Sequence, residues 1–149
     1  MPISLLVRRK AGCDDLPLPR YMSEAAAGMD VCAAVEEPLV LAPGDIRLIP
    51  TGLYVAVPQG YEVQVRPRSG LALKHGLLIV NSPGTIDADY RGEVGIIVGN
   101  VGREPYTITR GLRIAQLVVA AVARADVRQV EQLPQTGRGD GGFGHSGTH

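Results

Sequence analysis

Residues that interrupt regular structure are spread along almost the whole chain, and they constrain its fold more than any other feature. The sequence has 19 glycines and 11 prolines among 149 residues, with short apolar runs between them. In the run "YEVQVRP", Tyr61, Val63 and Val65 alternate with polar residues, which is the period of a half-buried strand. Many short strands separated by turn signals predict an all-β fold of the sandwich, barrel or jelly-roll kind.

Two segments also have features of a helix. The stretch "RSGLALKHG" predicts one or two turns, with Ser69 as the N-cap and Gly76 as the stop. Residues 114–123 are open to two interpretations. Their apolar positions fit a helical stripe, whereas their valine-rich start favours a buried strand, and periodicity alone does not decide between the two.

Composition bounds the class of protein. A chain of this length with 45% apolar residues fits one domain with a proper core. Lys plus Arg equals Asp plus Glu at 15 each, so no overall basic field attracts a nucleic-acid polymer. The most apolar run is about half a membrane span, and Cys13 and Cys32 have neither metal nor disulfide spacing. We therefore expect a soluble cytoplasmic protein without a membrane partner.

The C-terminal end differs from the rest of the chain. Residues 135–149 read "QTGRGDGGFGHSGTH", and such a segment cannot pack a core of its own. We therefore expect a folded domain over residues 1–134, followed by a flexible arm. The arm is either a disordered end or a segment that a ligand orders. Arg138 and Phe143 suit the second interpretation, because they combine a phosphate-binding fork with a flat aromatic face.

Two stretches of the body carry candidate binding residues. In "RPRSGLALKHG", free N–H groups of Ser69 and Gly70 beside Arg68 predict a phosphate site, although an ordinary capped turn has the same residues. In "NSPGTIDADYRG", an expected hairpin turn, Gly84 allows a ligand to approach the backbone closely. Asn81 offers both a donor and an acceptor, which suits the edge of a nucleobase.

Carboxylates in these stretches are candidates for acid–base chemistry. Asp87 and Asp89 share one parity on the expected hairpin, so their spacing does not say which of them could activate a water molecule. A simple acidic turn explains them equally well. Asp30, within "AAAGMDVCAA", is either a turn residue or a carboxylate that hydrogen-bonds a metal-bound water.

Five stretches, taken in order, resemble the five motifs of the trimeric deoxyuridine triphosphatases (dUTPases). They are "AAGMDVCAA" at 26–34, "RPRSGLA" at 66–72, "NSPGTIDADYRG" at 81–92, "GLRIAQLV" at 111–118 and "RGDGGFGHSG" at 138–147. The resemblance implies a jelly-roll-like (β-clip) single domain with one short helix. It also implies a homotrimer in which the C-terminal arm of one chain closes an active site built by the others.

The implied reaction is hydrolysis of dUTP to dUMP and pyrophosphate by water attack on the α-phosphorus. It limits uracil in DNA and supplies dUMP for thymidylate synthesis. A Mg²⁺ cofactor is expected on the triphosphate, held mainly by substrate and water, with no direct protein ligand and with Asp30 acting through water. By the same resemblance Asp87 is the catalytic base and Asp89 is structural. The implied substrate-binding residues are Arg68, Ser69, Gly70, Asn81, Gly84, Thr85, Ile86, Asp87, Tyr90, Gln116, Arg138, Phe143, Gly144, His145 and Ser146.

Within this implied site, each part of the nucleotide has its own residues. Asn81 and the nearby hairpin backbone bind uracil, and Tyr90 packs against deoxyribose and leaves no room for a 2′-hydroxyl. Phe143 stacks on uracil, and Arg138 clamps the γ-phosphate. His145 stands where the fifth motif usually has a hydroxyl residue, so we expect retained binding with pH sensitivity near neutrality.

Two alternatives remain beside this reading. One is a dCTP deaminase-like enzyme of the same fold, which needs an added acid–base group at the ring, and Glu93 is the nearby candidate. The other is a non-catalytic nucleotide-binding trimer. That protein would be expected to lack the catalytic and phosphate-binding side chains, and these are present here.

Overall fold

The computed structural model describes residues 3–147, which form strands and one short helix. In chain order the elements are β1 (Leu6–Arg9), β2 (Arg20–Tyr21), β3 (Met29–Cys32), β4 (Leu39–Leu41), β5 (Ile46–Ala56), β6 (Tyr61–Arg66), α1 (Ser69–His75), β7 (Leu77–Ile79), β8 (Gly84–Ile86), β9 (Glu93–Asn100), β10 (Tyr106–Ile108) and β11 (Arg113–Ala121). The prediction of an all-β fold with one short helix is confirmed. No helix within residues 3–147 has the length and apolar character needed to cross a membrane.

The strands form a jelly-roll-like sandwich. One sheet has the order β1-β5-β9-β7, the other has the order β2-β3-β11-β6-β8, and β10 pairs with β4 in a separate ribbon. The core draws on both larger sheets, with Ile49 and Ile96 from the first and Val63 and Leu117 from the second, all fully buried. Burying one such side chain contributes about 1.5–3 kcal/mol to folding, so the contact between the sheets stabilises the frame that carries the site.

The segment that periodicity left open is a strand. β11 pairs antiparallel with β3 on one side and with β6 on the other, so it lies inside the five-stranded sheet. Leu117 is opposite Met29 on β3 and Val65 on β6. Both edges of the segment are hydrogen-bonded to neighbouring strands, and this pairing favours a strand over the alternative helical stripe.

Helix α1 begins at Ser69, one residue earlier than the sequence predicted. Arg68, with φ −94° and ψ 126°, is the N-cap residue, and no side chain caps the helix. The prediction of Ser69 as the N-cap is therefore wrong, since Ser69 is already the first helical residue. The predicted stop is confirmed: Gly76 adopts φ 67°, a left-handed conformation that costs glycine little.

The stretch expected to be a hairpin crosses between the two sheets instead. β7 and β9 are antiparallel neighbours in the four-stranded sheet, but β8 between them pairs with β6 in the five-stranded sheet. Gly84 lies opposite Val65, and a Cβ at Gly84 would lie only 3.2 Å from the Cβ of Val65. The hairpin prediction is wrong because the three-residue strand β8 pairs with β6 and buries Ile86 in the core. The turn after β8 therefore links the two sheets.

The C-terminal segment leaves the body after β11. The Val122 N–H donates to the Gly60 carbonyl at 2.9 Å, and beyond it the hydrogen bonds found within residues 3–147 are all local to the segment. The boundary at residues 134 and 135 stays a prediction. Residues 1–2 of the predicted domain and 148–149 of the predicted arm lie outside the described residues.

Candidate active site

A pocket of about 170 Å³ opens beside the turn between β8 and β9. Six of the residues predicted to bind substrate meet in it, although the stretch is not a hairpin. Its walls are the ends of β6, β8 and β9 and the loop before β8. The lining residues are Val65, Asn81, Gly84, Thr85, Ile86, Asp87, Tyr90, Glu93, Val94 and Gly95.

The turn that carries Asp87 is fastened by hydrogen bonds across it. The Tyr90 N–H donates to the Asp87 carbonyl at 3.1 Å. The Arg91 guanidinium donates to the carbonyls of Ala88 and Tyr90, both at 2.7 Å. The Asp87 carboxylate itself is exposed and makes no hydrogen bond or ion pair to any of residues 3–147. The turn thus presents a free carboxylate from a constrained backbone.

Tyr90 folds back over the chain that follows it. Its hydroxyl donates to the Glu93 carbonyl at 3.0 Å. The ring lies so close to Gly92 that a Cβ there would stand 2.9 Å from Cε2 of the tyrosine. Glycine at position 92 is therefore a packing requirement, and the tyrosine ring forms one wall of the pocket.

Asn81 also lines the pocket and lies against the start of β8. A Cβ at Gly84 would come within 3.1 Å of Asn81 Nδ2, so the amide of Asn81 rests directly over the glycine backbone. The middle residue of β8, Thr85, is exposed. An amide and an exposed strand edge can together present hydrogen-bonding groups to a planar base.

A second group of predicted residues meets where β3 and β11 approach the start of α1. Asp30 Oδ2 accepts a hydrogen bond from Arg113 Nη1 at 2.9 Å and lies 3.3 Å from Arg68 Nε. Arg68 Nη1 also donates to the Arg113 carbonyl at 3.1 Å. The Asp30 side chain is only 12% exposed. One carboxylate thus orders two guanidinium groups, which is a chemistry suited to an anionic ligand.

Gln116 holds the backbone just before this arginine cluster. Its Nε2 donates to the Pro67 carbonyl at 2.9 Å. A Cβ at Gly28 would clash with the Gln116 amide, so the glycine makes room for it. Ser69 and Gly70 follow, both exposed in the first turn of α1.

The predicted residues of the arm stay apart from both groups. Arg138 Nε donates to the Gly141 carbonyl at 2.6 Å, and the Gly141 N–H donates back to the Arg138 carbonyl at 3.1 Å. Phe143 is fully exposed. The other predicted arm residues also lie outside the pocket and outside the arginine cluster, namely Gly144, His145 and Ser146.

Two charged residues that the sequence analysis did not assign to substrate binding lie in these groups. Arg113 completes the arginine cluster, and Glu93 lines the pocket. Arg113 precedes Gln116 by three residues in the same stretch, but its partner Asp30 is 83 residues away. Only the pairing of β3 with β11 brings the two together, and no local pattern predicts that pairing.

Comparisons with known proteins agree on one family. The sequence model of the dUTPase family matches residues 14–147. A deoxyuridine 5′-triphosphate nucleotidohydrolase from Caldanaerobacter subterraneus subsp. tengcongensis is 52% identical over 147 residues, covering 99% of each chain. The Staphylococcus bacteriophage 80alpha dUTPase with dUPNHPP superposes with a TM-score of 0.87 at 29% identity, covering 97% of this chain and 99% of that one.

A second solved structure concerns a metal. It is a mutant dUTPase from phage phi11 of S. aureus, described as revealing the coordination of a structural Mg(II) ion. It superposes with a TM-score of 0.78 at 26% identity and covers 89% of this chain and 99% of that one.

Proposed function

This chain belongs to the dUTPase family and hydrolyses dUTP, and we propose which of its residues bind each part of the substrate and which residue activates the water. The observation that carries the proposal is the pocket at the turn between β8 and β9, since residues suited to the base, the sugar and the attacking water line one cavity. Asn81 faces uracil, Tyr90 faces deoxyribose and Asp87 faces the water.

Asp87 acts as the general base for attack on the α-phosphorus, which yields dUMP and pyrophosphate. Its exposed carboxylate has no partner among residues 3–147, so it is available to orient and deprotonate a water within hydrogen-bonding reach. Asp89 does not line the pocket and has a structural role. Catalysis then rests on positioning and charge stabilisation, without a covalent intermediate.

The pocket walls select the nucleoside. The Asn81 amide and the exposed edge of β8 pair with uracil, and the exocyclic amino group of cytosine breaks that match. Loss of such a polar match discriminates more strongly than an added methyl group, which is worth about 1–3 kcal/mol unless it clashes. The Tyr90 ring lies over Gly92 and occupies the space that a ribose 2′-hydroxyl needs.

The arginine cluster receives the triphosphate. Arg68, with Ser69 and Gly70, binds phosphate oxygens, and Asp30 keeps Arg68 beside Arg113. We add Arg113 to the substrate-binding residues, because the same carboxylate holds both guanidinium groups. This arrangement supplies positive charge where the negative charge of the triphosphate is highest.

A Mg²⁺ ion bound by substrate and water fits this donor set. Within residues 3–147 no group of three or more His, Cys, Asp or Glu side chains could hold a metal ion. Magnesium needs few protein ligands when phosphates and water supply the rest. Both contacts to Asp30 use Oδ2, so Oδ1 is left for a metal-bound water. The ion would neutralise charge on the phosphate oxygens.

The complete site forms in a homotrimer with exchanged C-terminal arms. Three groups of residues support this proposal: the pocket, the arginine cluster and the arm, which do not meet within residues 3–147 of one chain. Copies of the chain bring the groups together, and the arm with Phe143 and Arg138 closes over uracil and the γ-phosphate. Closing segments of this kind exclude water and complete a site only when substrate is bound.

An apolar face on the four-stranded sheet supports contact between copies. Leu48 on β5 lies opposite Ile97 on β9, and Leu78 on β7 lies opposite Gly99. Leu48 is 67% exposed. Contiguous apolar residues on the outside of a sheet mark surfaces that bury against another protein.

The proposed setting is the cytoplasm, where the enzyme keeps dUTP low and supplies dUMP. Cys13 and Cys32 are both buried and unpaired, which suits a reducing compartment. A net charge of 0 gives no overall attraction to a nucleic-acid polymer or to an anionic membrane surface.

One assay set tests the function against its rivals. Hydrolysis of dUTP, dCTP, dTTP and UTP is measured side by side with Mg²⁺, and release of pyrophosphate almost only from dUTP is expected. Ammonia release from dCTP would support a deaminase instead. Glu93, the candidate acid–base group for that reaction, already accepts hydrogen bonds from Gly52 and Lys10. Nucleotide binding without hydrolysis would support the non-catalytic trimer.

A further inference from the structure

The Glu93 side chain fastens the start of β9 to an irregular point in β5. In the pairing of these strands Pro50 is opposite Gly95 and Tyr54 is opposite Glu93, so residues 51–53 face Val94 alone. The ladder is interrupted there, as at a β-bulge. Glu93 Oε1 accepts a hydrogen bond from the Gly52 N–H at 3.0 Å and so replaces a missing ladder contact.

Lys10 secures the same carboxylate from the other side. Its Nζ donates to Glu93 Oε2 at 3.3 Å, while its backbone N–H donates to the Gly52 carbonyl at 2.8 Å. Both oxygens of Glu93 therefore have partners within the protein, and its side chain is 24% exposed. A carboxylate with both oxygens engaged is fitted to hold structure and not to bind a ligand directly.

Tyr90 depends on this anchored residue for its own position. Its hydroxyl donates to the backbone carbonyl of Glu93 at 3.0 Å. The ring of Tyr90 packs against Gly92. The position of its hydroxyl depends on the position of the Glu93 carbonyl that accepts its hydrogen bond. The carbonyl in turn is placed by the side chain of the same residue, through Gly52 and Lys10.

We propose that Glu93, secured by Lys10, is a positioning residue for Tyr90 and thereby sets how strictly a ribose 2′-hydroxyl is excluded from the pocket. The proposal rests on the assignment of Tyr90 to the sugar under the proposed function. Without the anchor, the start of β9 and the Tyr90 hydroxyl shift, and the space beside the sugar widens. A deoxynucleotide still fits that space, so turnover of dUTP is retained while discrimination against UTP falls.

The test compares kcat and KM for dUTP and UTP in wild type, Glu93→Ala, Glu93→Gln and Lys10→Met. We expect the ratio of kcat/KM for UTP to that for dUTP to rise about tenfold in Glu93→Ala, with kcat for dUTP within about threefold of wild type. Glu93→Gln keeps an acceptor for Gly52 and should show a smaller rise. Lys10→Met removes only the outer contact and should show the smallest rise.

The matched control is Asp15→Asn, which breaks another exposed ion pair, that of Asp15 with Arg110. It should leave the UTP-to-dUTP ratio unchanged. The Lys10 side chain is 53% exposed, and exposed pairs contribute little to folding, so Lys10→Met should fold. Glu93→Ala also removes the acceptor of the Gly52 N–H, so a thermal melt checks the fold of that variant. If Glu93→Ala does not fold, the ratios of Glu93→Gln and Lys10→Met decide the question.

A double-mutant cycle with Tyr90→Phe separates positioning from a general structural effect. Removing the hydroxyl also removes its bond to Glu93, so Glu93→Ala should change the ratio much less in the Tyr90→Phe background than in wild type. Additive effects would overturn the proposal, as would an unchanged ratio in folded Glu93→Ala. Tyr90→Ala tests the underlying assignment separately: if it does not raise the ratio, the sugar role of Tyr90 is wrong. If it does while Glu93→Ala does not, only the positioning role fails.

Discussion

Asp30 and Arg113 are 83 residues apart in the chain, yet Arg113 Nη1 donates to Asp30 Oδ2 at 2.9 Å. The same oxygen lies 3.3 Å from Arg68 Nε, so Asp30 sets the distance between two guanidinium groups. An arginine side chain has several rotatable bonds, and a shared carboxylate is a direct way to hold two of them ready for one ligand. The geometry of the proposed phosphate site thus depends on a residue that need not touch phosphate.

Replacement of Asp30 by Asn should therefore impair substrate use more than folding. Asparagine keeps the shape but loses the charge that orders Arg68 and Arg113. We expect kcat/KM for dUTP to fall on the order of a hundredfold, as misplaced binding groups typically cause. Steady-state kinetics with a thermal melt measure both effects. Asp45→Asn, which breaks a surface pair with Arg47, is the control and should retain activity. Equal kinetics for the two variants would contradict this role.

Asp87→Asn should abolish turnover and spare binding. The free carboxylate on the fastened turn is the proposed base, and a general base contributes typically 10²–10⁴-fold, so kcat should fall by about that factor. Binding of dUpNHpp, measured by calorimetry, should change little. Asp89→Asn is the matched control on the same turn and should keep kcat within about twofold of wild type. A fully active Asp87→Asn enzyme would exclude this residue as the base.

Exchange of arms can be tested by complementation between two inactive chains. One chain carries Asp87→Asn with an intact arm, and the other has wild-type Asp87 but lacks residues 135–149. If arms are exchanged in the proposed trimer, co-expression should give mixed trimers with sites that combine Asp87 from one chain and an arm from the other, so activity should reappear. Separately purified and unmixed preparations are the controls. If an arm closes the pocket of its own chain, co-expression will restore nothing.

Acid stability should depend on the pair formed by Asp15 and Arg110. The hydrogen bonds from Arg110 hold the pKa of Asp15 below 3.8, its ordinary value. The pKa of Asp15 is lower in the folded protein than in the unfolded chain, so the pair stabilises the protein above pH 3.8. This stabilisation is lost as the pH falls through the folded pKa. Asp15→Asn should therefore lower Tm slightly near neutral pH. The Tm values of wild type and Asp15→Asn, measured across a series of acid buffers, should converge as the pH falls below 3.8. A constant difference in Tm at every pH would mean that the charge of Asp15 is not involved.

Local patterns in the sequence predicted those parts of the fold that depend on neighbours in the chain. The alternation in β6 is confirmed, since Val63 and Val65 are buried and Arg66 is exposed. The left-handed stop at Gly76 is also confirmed, because a glycine after the last helical turn is a local signal. Six of the residues predicted to bind substrate meet in one pocket for the same reason, since all of them lie within the ten residues from Asn81 to Tyr90.

Long-range pairing explains what the sequence did not predict. β8 lies between β7 and β9 in the sequence but pairs with β6 in the other sheet. A strand of three residues has too short a pattern to predict which strand it pairs with. The strand identity of β11 follows from its two neighbours in the sheet, and its own periodicity is ambiguous. The contact between Arg113 and Asp30 depends on that same pairing.

Beyond Val122 the arm makes hydrogen bonds only within itself among residues 3–147, and this affects how the enzyme should respond to dilution. The chain from Val122 to Arg138 can reach at most about 55 Å, so in the proposed trimer the arm is a tethered ligand of a neighbouring site. Its effective concentration there is on the order of millimolar, whatever the concentration of the protein. Closure of a site should thus be a first-order event. The curve of reaction rate against dUTP concentration should then keep the same shape when the enzyme is diluted, until the trimer itself dissociates.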